Sequence, residues 1–342
     1  MTPKKSITLK DIAQELNLSK VSVSKALRDH PDIGPETKRL VRETAEKLGY
    51  VPNYFARNLS SHQARTIGLV VPKIAHHFFA SAIETIYQTA SDNKYEIIMT
   101  VSQENAENEL VHLQTLLSMR VDGLLISVTE QTTDKAIFET VKKRGIPLVF
   151  FDRVVEGVGF STVTADDEKG TYNAITGIIK SGYTQIAHLA GYFSTNIGQK
   201  RLNGFKKAMR DNGLDVPESW IVETGFSESD GYKGFLKLFR SGKLPEVIFS
   251  VTYPVSLGVI LAAQEAGISI PDDIQILSFG GSIYNRFVTP SISYIDQPAE
   301  EIAKKATELL LYEIRNPDLR EEQHIIVPTE LVICDTCIKK KE

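Results

Sequence analysis

In the first fifty residues the apolar positions recur at helical spacing in three short runs. Leu9, Ile12, Ala13 and Leu16 make the first stripe, and Thr8 with Asp11 stands in front of it as a capping box. Asn17 and Leu18 interrupt the pattern. Ser19 then caps a second helix with the stripe Val23, Ala26 and Leu27. A third helix is predicted through GPETKRLVRETAEKLGY. There Pro35 suits the first helical position, Leu40, Val41, Ala45 and Leu48 form the buried side, and Gly49 ends it. Three such helices, the first two joined by a tight turn, share one small core.

From Arg65 onward the period changes. Short, nearly all-apolar runs alternate with amphipathic segments: IGLVV (67–71), YEIIMTV (95–101), DGLLISV (122–128), PLVFF (147–151), QIAHLAG (185–191), EVIFSV (246–251) and IQILSF (274–279). Runs of this kind between helices predict βα units and parallel sheets covered on both faces. The length allows two such lobes, and SISYIDQP (291–298) lies where the chain could cross back to the first. In such sheets a ligand binds at the carboxyl ends of the strands, which makes the residues just after each strand the ones to read.

Composition narrows the function classes. With 342 residues, 42% hydrophobic and 24% charged, the chain has the make-up of a folded globular protein of two or three domains. No apolar run approaches the ~20 residues that span a bilayer, and MTPKKSITLKDIAQ lacks the apolar stretch of an export signal, so a cytoplasmic protein without a membrane role is expected. The two cysteines, Cys334 and Cys337, form one CxxC without a second pair, and His76 and His77 have no ligand spacing, so they are read as rim or solvent residues; no metal or cofactor is expected. GxxxxGK[ST], GxSxG, HExxH and a post-strand GxGxxG are all missing, which argues against an enzyme.

The net charge of −4 hides an asymmetry: residues 1–60 carry +4 and the remainder −8. A basic module on an acidic body suits a polyanion partner for the module alone. With Val23, Ala26 and Leu27 turned inward, Lys20, Val21 and Lys25 face outward on a helix that fits the DNA major groove. There lysine donates to guanine O6 and N7 and valine meets a thymine methyl. Ser22 and Ser24 suit phosphates. A solvated basic surface helix is the alternative.

These residues resemble a known family. ITLKDIAQELNLSKVSVSKALRDHPDIGPETKRLVRETAEKLGYVPNYFARNLSS is similar to the N-terminus of the lactose-repressor (LacI/GalR) family of bacterial transcription regulators, and the likeness extends over nearly the whole chain. It implies a small all-α helix-turn-helix DNA-binding domain (1–52), a hinge helix and linker (53–65), and an α/β two-lobed periplasmic-binding-protein-like core with parallel sheets (66–342). Lobe one would span approximately 66–163 and 295–325, and lobe two approximately 164–294 and 326–342. By resemblance Lys20, Val21 and Lys25 read bases, with Thr8, Ser19, Ser22 and Ser24 also on the DNA face. Asn53, Ala56, Arg57 and Leu59 belong to a hinge that orders on DNA, Leu59 wedging into the minor groove. A segment that short is marginal as an isolated helix, and inserting an apolar wedge costs a few kcal/mol of unstacking.

The effector site implied by the resemblance draws on residues that follow strands. Phe78 or Phe79 would stack on a sugar ring or base, with two core phenylalanines as the alternative. Asp152 and Arg153 would bond sugar hydroxyls, with structural pairing as the alternative. Arg201, in QKRLNGF, would contact effector oxygens, Gln297 is a further polar contact or an interlobe hinge residue, and Phe279 borders the pocket. The sequence also departs from the family's pattern. Thr252 and Tyr253 replace the usual Asn-Asp, Gly280 replaces an effector-binding aspartate, and Cys334 stands where arginine is common. The expected function is therefore a homodimeric repressor that binds a near-palindromic double-stranded DNA operator under control of a sugar-like small effector. A regulator with a degenerate pocket answering to a protein partner remains an alternative, and a sugar-binding protein without a DNA role is a further one.

Overall fold

The computed structural model describes residues 7–50 and 64–338. The hinge residues Asn53, Ala56, Arg57 and Leu59 lie outside the described residues. The chain divides into two compact units, Met1–Ala64 and Arg65–Glu342.

The first unit holds α1 (Leu9–Glu15), α2 (Lys20–Leu27) and α3 (Pro35–Leu48). The Thr8 backbone N–H and hydroxyl both donate to Asp11 at 2.7 Å, which fixes the start of α1. Asn17 takes the left-handed conformation (φ 55) that turns the chain into α2. Ser19 accepts from the Ser22 N–H and caps that helix. Ile12, Ala13, Val23, Ala26, Val41 and Ala45 form the core. Leu40, predicted to be buried, is 44% exposed. The inward stripe of α3 runs through Val41, Thr44 and Ala45, and Leu40 sits one residue, about 100°, off it.

The second unit contains two six-stranded sheets. The first has β1 (Thr66–Val71), β2 (Glu96–Val101), β3 (Gly123–Ile126), β4 (Leu148–Phe151), β5 (Ser161–Ala165) and β11 (His324–Val327), in the order β11-β5-β4-β3-β1-β2. The second has β6 (Ile186–Leu189), β7 (Ile221–Val222), β8 (Val247–Ser250), β9 (Gln275–Phe279), β10 (Ser293–Asp296) and β12 (Glu330–Val332), in the order β12-β10-β9-β8-β6-β7. The sheets are parallel, as expected, except that β12 pairs antiparallel with β10 at one edge. Strand β12 follows β11, which belongs to the first sheet, after two residues.

Strand register assigns the residues at the lobe ends to one sheet or the other. β5 runs on to Ala165, paired with Val327, so residues 326–327 belong to the first sheet. Ile295 and Asp296 pair with Leu331 and Glu330 and belong to the second. Helices cover both faces of each sheet: α4 (His77–Asp92), α5 (Ala106–Ser118), α6 (Ala136–Lys143) and α11 (Ala299–Arg315) over the first, and α7 (Asp167–Lys180), α8 (Asn196–Asp211), α9 (Glu228–Arg240) and α10 (Tyr253–Glu265) over the second. Ile302, Ala303, Ala306 and Leu310 of α11 pack with Phe78, Phe79 and Ile86 of α4 in one of the first sheet's two cores. Both cysteines are free; burial pushes the Cys337 thiol up, and Cys334 Sγ lies 3.7 Å from Asn285 Nδ2. Among the described residues no helix is long and apolar enough to cross a membrane, and no group of three metal-ligating side chains occurs.

Candidate functional site

Strand ends from both sheets meet at a cleft of about 230 Å³ lined by Phe78, Phe79, Asp152, Arg153, Arg201, Thr252 and Gln297, together with His76, Glu104 and Phe226. An adjoining recess of about 210 Å³ is lined by Phe279, Gly280, Tyr253 and Tyr294, and shares His76, Phe78, Thr252 and Gln297. All eight residues singled out from the sequence as effector contacts thus line one or other part of the same cleft. They differ in what they already bind.

Asp152 ends β4 in a left-handed conformation (φ 59) and is buried, its carboxylate accepting from Gln297 Nε2 at 2.7 Å. Burial pushes its pKa up to about 6, against the pull of Arg153 and Arg201. The native state therefore favours the protonated acid. The stability that this contributes is complete below the ordinary value of 3.8 and is lost as the pH rises through about 6. Asp152→Asn is accordingly expected to melt several degrees higher than the parent near pH 8, with the gap closing as the pH falls toward 4. A gap that thermal melts show to be independent of pH would refute the assignment.

Arg153 follows and is also buried. Its Nη1 donates to both oxygens of Glu104 (2.9 and 2.8 Å), and its guanidinium lies over the Phe226 ring at 4.7 Å. Arg201 is more fully enclosed, 1% exposed. Nε donates to Asp167 at 2.8 Å, Nη1 donates to the Val251 carbonyl at 2.6 Å, and the guanidinium stacks on Phe279 at 3.5 Å. Gly204, in the same QKRLNGF segment, lets α8 press onto α7: a Cβ there would sit 2.2 Å from the Glu168 carbonyl oxygen. That close approach brings Arg201 to Asp167.

Several buried polar atoms remain unpaired. Arg153 Nε, Arg201 Nη2 and His76 Nδ1 have no hydrogen-bond partner; Arg201 Nη2 lies 2.8 Å from Asp167 without hydrogen-bond geometry. Buried polar atoms left without a hydrogen bond cost about 1–3 kcal/mol each. His76, expected at the rim, instead forms part of the wall. It stands just before α4 without a side-chain capping bond and meets Phe79 edge-on, and burial, aided by Arg153, pushes its pKa down to about 3, leaving the ring neutral. Phe78 and Phe79 are both buried and pack edge-to-face at 5.3 Å, so they serve core and cleft together.

Two of the departures from the expected pattern, Thr252 and Gly280, have local explanations. The Thr252 hydroxyl donates to the Phe226 carbonyl at 3.1 Å and faces the cleft already satisfied. Gly280 takes φ 76, a conformation that strains any side chain there. Glu104, Phe226 and Asp167 were not singled out from the sequence. Glu104 gives no strand or helix signal; it lies in the turn after β2 and becomes a site residue only because the fold sets it against Arg153.

In the helical unit, Lys20 and Val21 stand exposed, Val21 at 65%. Ser22 Oγ and Ser19 Oγ are 2.8 Å apart, and Ser24 is half-buried. Lys25, expected to face outward, is 35% exposed and tied to Asp32 at 2.7 Å.

Residues 8–53 match the profile described as bacterial regulatory proteins, lacI family, and residues 176–337 match a periplasmic binding protein-like domain. Catabolite control protein A of Priestia megaterium is 32% identical, covering 89% of this chain and 92% of that protein. The repressor PurR of Escherichia coli O6:K15:H31 is 29% identical over 93% of each chain. The ribose operon repressor of Haemophilus influenzae is 28% identical over 94% and 96%. Among solved structures, the lac repressor dimer bound to operator and the anti-inducer ONPF superposes with a TM-score of 0.84 at 22% identity, covering 98% of this chain and 100% of that one. A CelR–cellobiose complex does so with a TM-score of 0.73 at 21% identity, covering 96% and 99%.

Proposed function

The chain belongs to the lacI family of bacterial regulatory proteins, and from that premise we propose how its own residues divide the work. It is a transcriptional regulator that binds operator DNA as a dimer and answers to a small effector. In this reading it acts in the cytoplasm, where the DNA is, and catalyses no reaction.

Residues 1–52 form the DNA-binding module, with Lys20, Val21 and Lys25 toward base edges and Thr8, Ser19, Ser22 and Ser24 toward the backbone. Residues 53–65 link it to the core, and Asn53, Ala56, Arg57 and Leu59 act at the operator centre. Phe78, Phe79, Asp152, Arg153, Arg201, Thr252, Phe279 and Gln297 hold the effector. One observation carries the effector reading: the polar side chains of Asp152, Arg153, Arg201 and Gln297 line one cleft that is also walled by the rings of Phe78, Phe79 and Phe226. A polyhydroxylated ring supplies hydroxyls to such side chains and an apolar face to the phenylalanines.

A thermal-shift screen of the full chain against sugars, sugar phosphates and nucleobases tests this. At one hundred times its Kd a ligand adds about 2.7 kcal/mol, a shift of several degrees. Stabilisation by nucleobases alone would replace the sugar reading, and a blank screen would favour control by a protein partner.

A further inference from the structure

The DNA-binding unit carries two acids on the turn between α2 and α3, and they serve different helices. Asp29 binds Arg42 and approaches Lys38, both on α3. Asp32 reaches back to α2 and holds Lys25 Nζ at 2.7 Å. The pair is anchored on both sides: Lys25 is only 35% exposed, and the Asp32 N–H donates to His30 Nδ1 at 3.3 Å. Lys25 lowers the pKa of Asp32, with help from His30, so the carboxylate is charged at neutral pH. Lys20, at the other end of α2, is exposed and has no ion pair among the described residues. One lysine of this helix is free and the other is tethered.

We propose that Asp32 is a specificity-determining residue: it orients Lys25 toward a base edge and withholds it from phosphates. A lysine ammonium has three donors. One stays on Asp32 while the others reach the acceptors of a guanine edge, which brings no net charge against the carboxylate. A phosphate brings a full negative charge to the same place and is repelled. Non-specific binding rests almost wholly on phosphate contacts, so the carboxylate weakens it more than it weakens operator binding. The proposal rests on the reading that Lys25 faces DNA.

The test uses the full chain, an operator obtained by selection from random duplexes, and a scrambled duplex of the same length. Asp32→Asn is expected to raise affinity for the scrambled duplex about three- to fivefold, the upper range for releasing an exposed pair. Its log–log salt slope should steepen by about 0.9, one added phosphate contact. Operator affinity should stay within about twofold, so the specificity ratio falls. Neither change should appear in a Lys25→Gln background. Asp29→Asn is the charge-matched control, and asparagine suits the left-handed backbone at position 29 (φ 56). An equal gain from Asp29→Asn, a gain that persists without Lys25, or an unchanged ratio would each overturn the proposal. Lys25→Gln measured alone separates the premise: if it weakens operator binding while Asp32→Asn leaves the ratio unchanged, only the role of Asp32 falls, whereas no effect on either duplex removes Lys25 from the DNA face.

Discussion

Arg201→Met is expected to destabilise the two-sheet unit by about 3–5 kcal/mol, read as a large drop in the denaturation midpoint. The cause is the partner left behind. Asp167 is as enclosed as Arg201, each 1% exposed, and burial already pushes its carboxyl pKa up, with Arg201 as the main opposing influence. Without the guanidinium the carboxylate is either charged and alone or protonated at a cost. The Val251 carbonyl also loses its donor, and the Phe279 ring loses the group stacked on it. The double variant Arg201→Met, Asp167→Asn should recover much of the loss, because it removes the stranded charge and not only its partner. A single variant within about 1 kcal/mol of the parent would show that the pair contributes little. The result governs how effector-blind variants at Arg201 are interpreted: loss of response there reports folding unless stability is measured beside it.

The cleft is also where the two lobes are tied without any ligand. Asn196, at the start of α8, donates to the Asp152 carbonyl at 3.2 Å and accepts from the Val154 N–H at 3.2 Å. Arg153 leans on Phe226, and Lys200 lies 3.6 Å from Glu156. An effector touching residues of both sheets acts on this set of contacts. Only a difference in its affinity for two lobe arrangements converts binding into a signal.

Local order was legible in the sequence wherever it is set by neighbours along the chain. The stripe Ile12, Ala13, Val23, Ala26 identifies two helices because each residue's burial follows from its position on a turn, and apolar runs such as LVFF identify central strands. The polar strand STVTA at 161–165 gave no such signal. Its Ser161 is buried because the hydroxyl donates to Glu313, 152 positions away. Candidate effector residues were legible as polar or aromatic side chains just past strand ends. What each of them already bonds to was not. Glu104 on Arg153 and Asp32 on Lys25 are tertiary pairings, decided by how loops fall on one another, and periodicity carries no information about them.

The largest change in DNA recognition is expected from exchanging Lys20 and Val21. Both are exposed at the start of α2, where a recognition helix meets base edges. A lysine to a guanine edge and a valine to a thymine methyl discriminate by about 1–3 kcal/mol per base pair. A dimer reads two half-sites, so each effect enters twice and the preference for the original operator should fall by two or more orders of magnitude. Selection from a random duplex library should then return a new half-site, altered at the same positions in both arms. If the two side chains touch only phosphates, the exchanged protein will bind every sequence more weakly by a similar factor, and selection will recover the original operator. Lys20→Ala sharpens the distinction. A base reader loses preference at one pair in each half-site, whereas a phosphate contact lowers the salt slope by about one and leaves the preferred sequence unchanged.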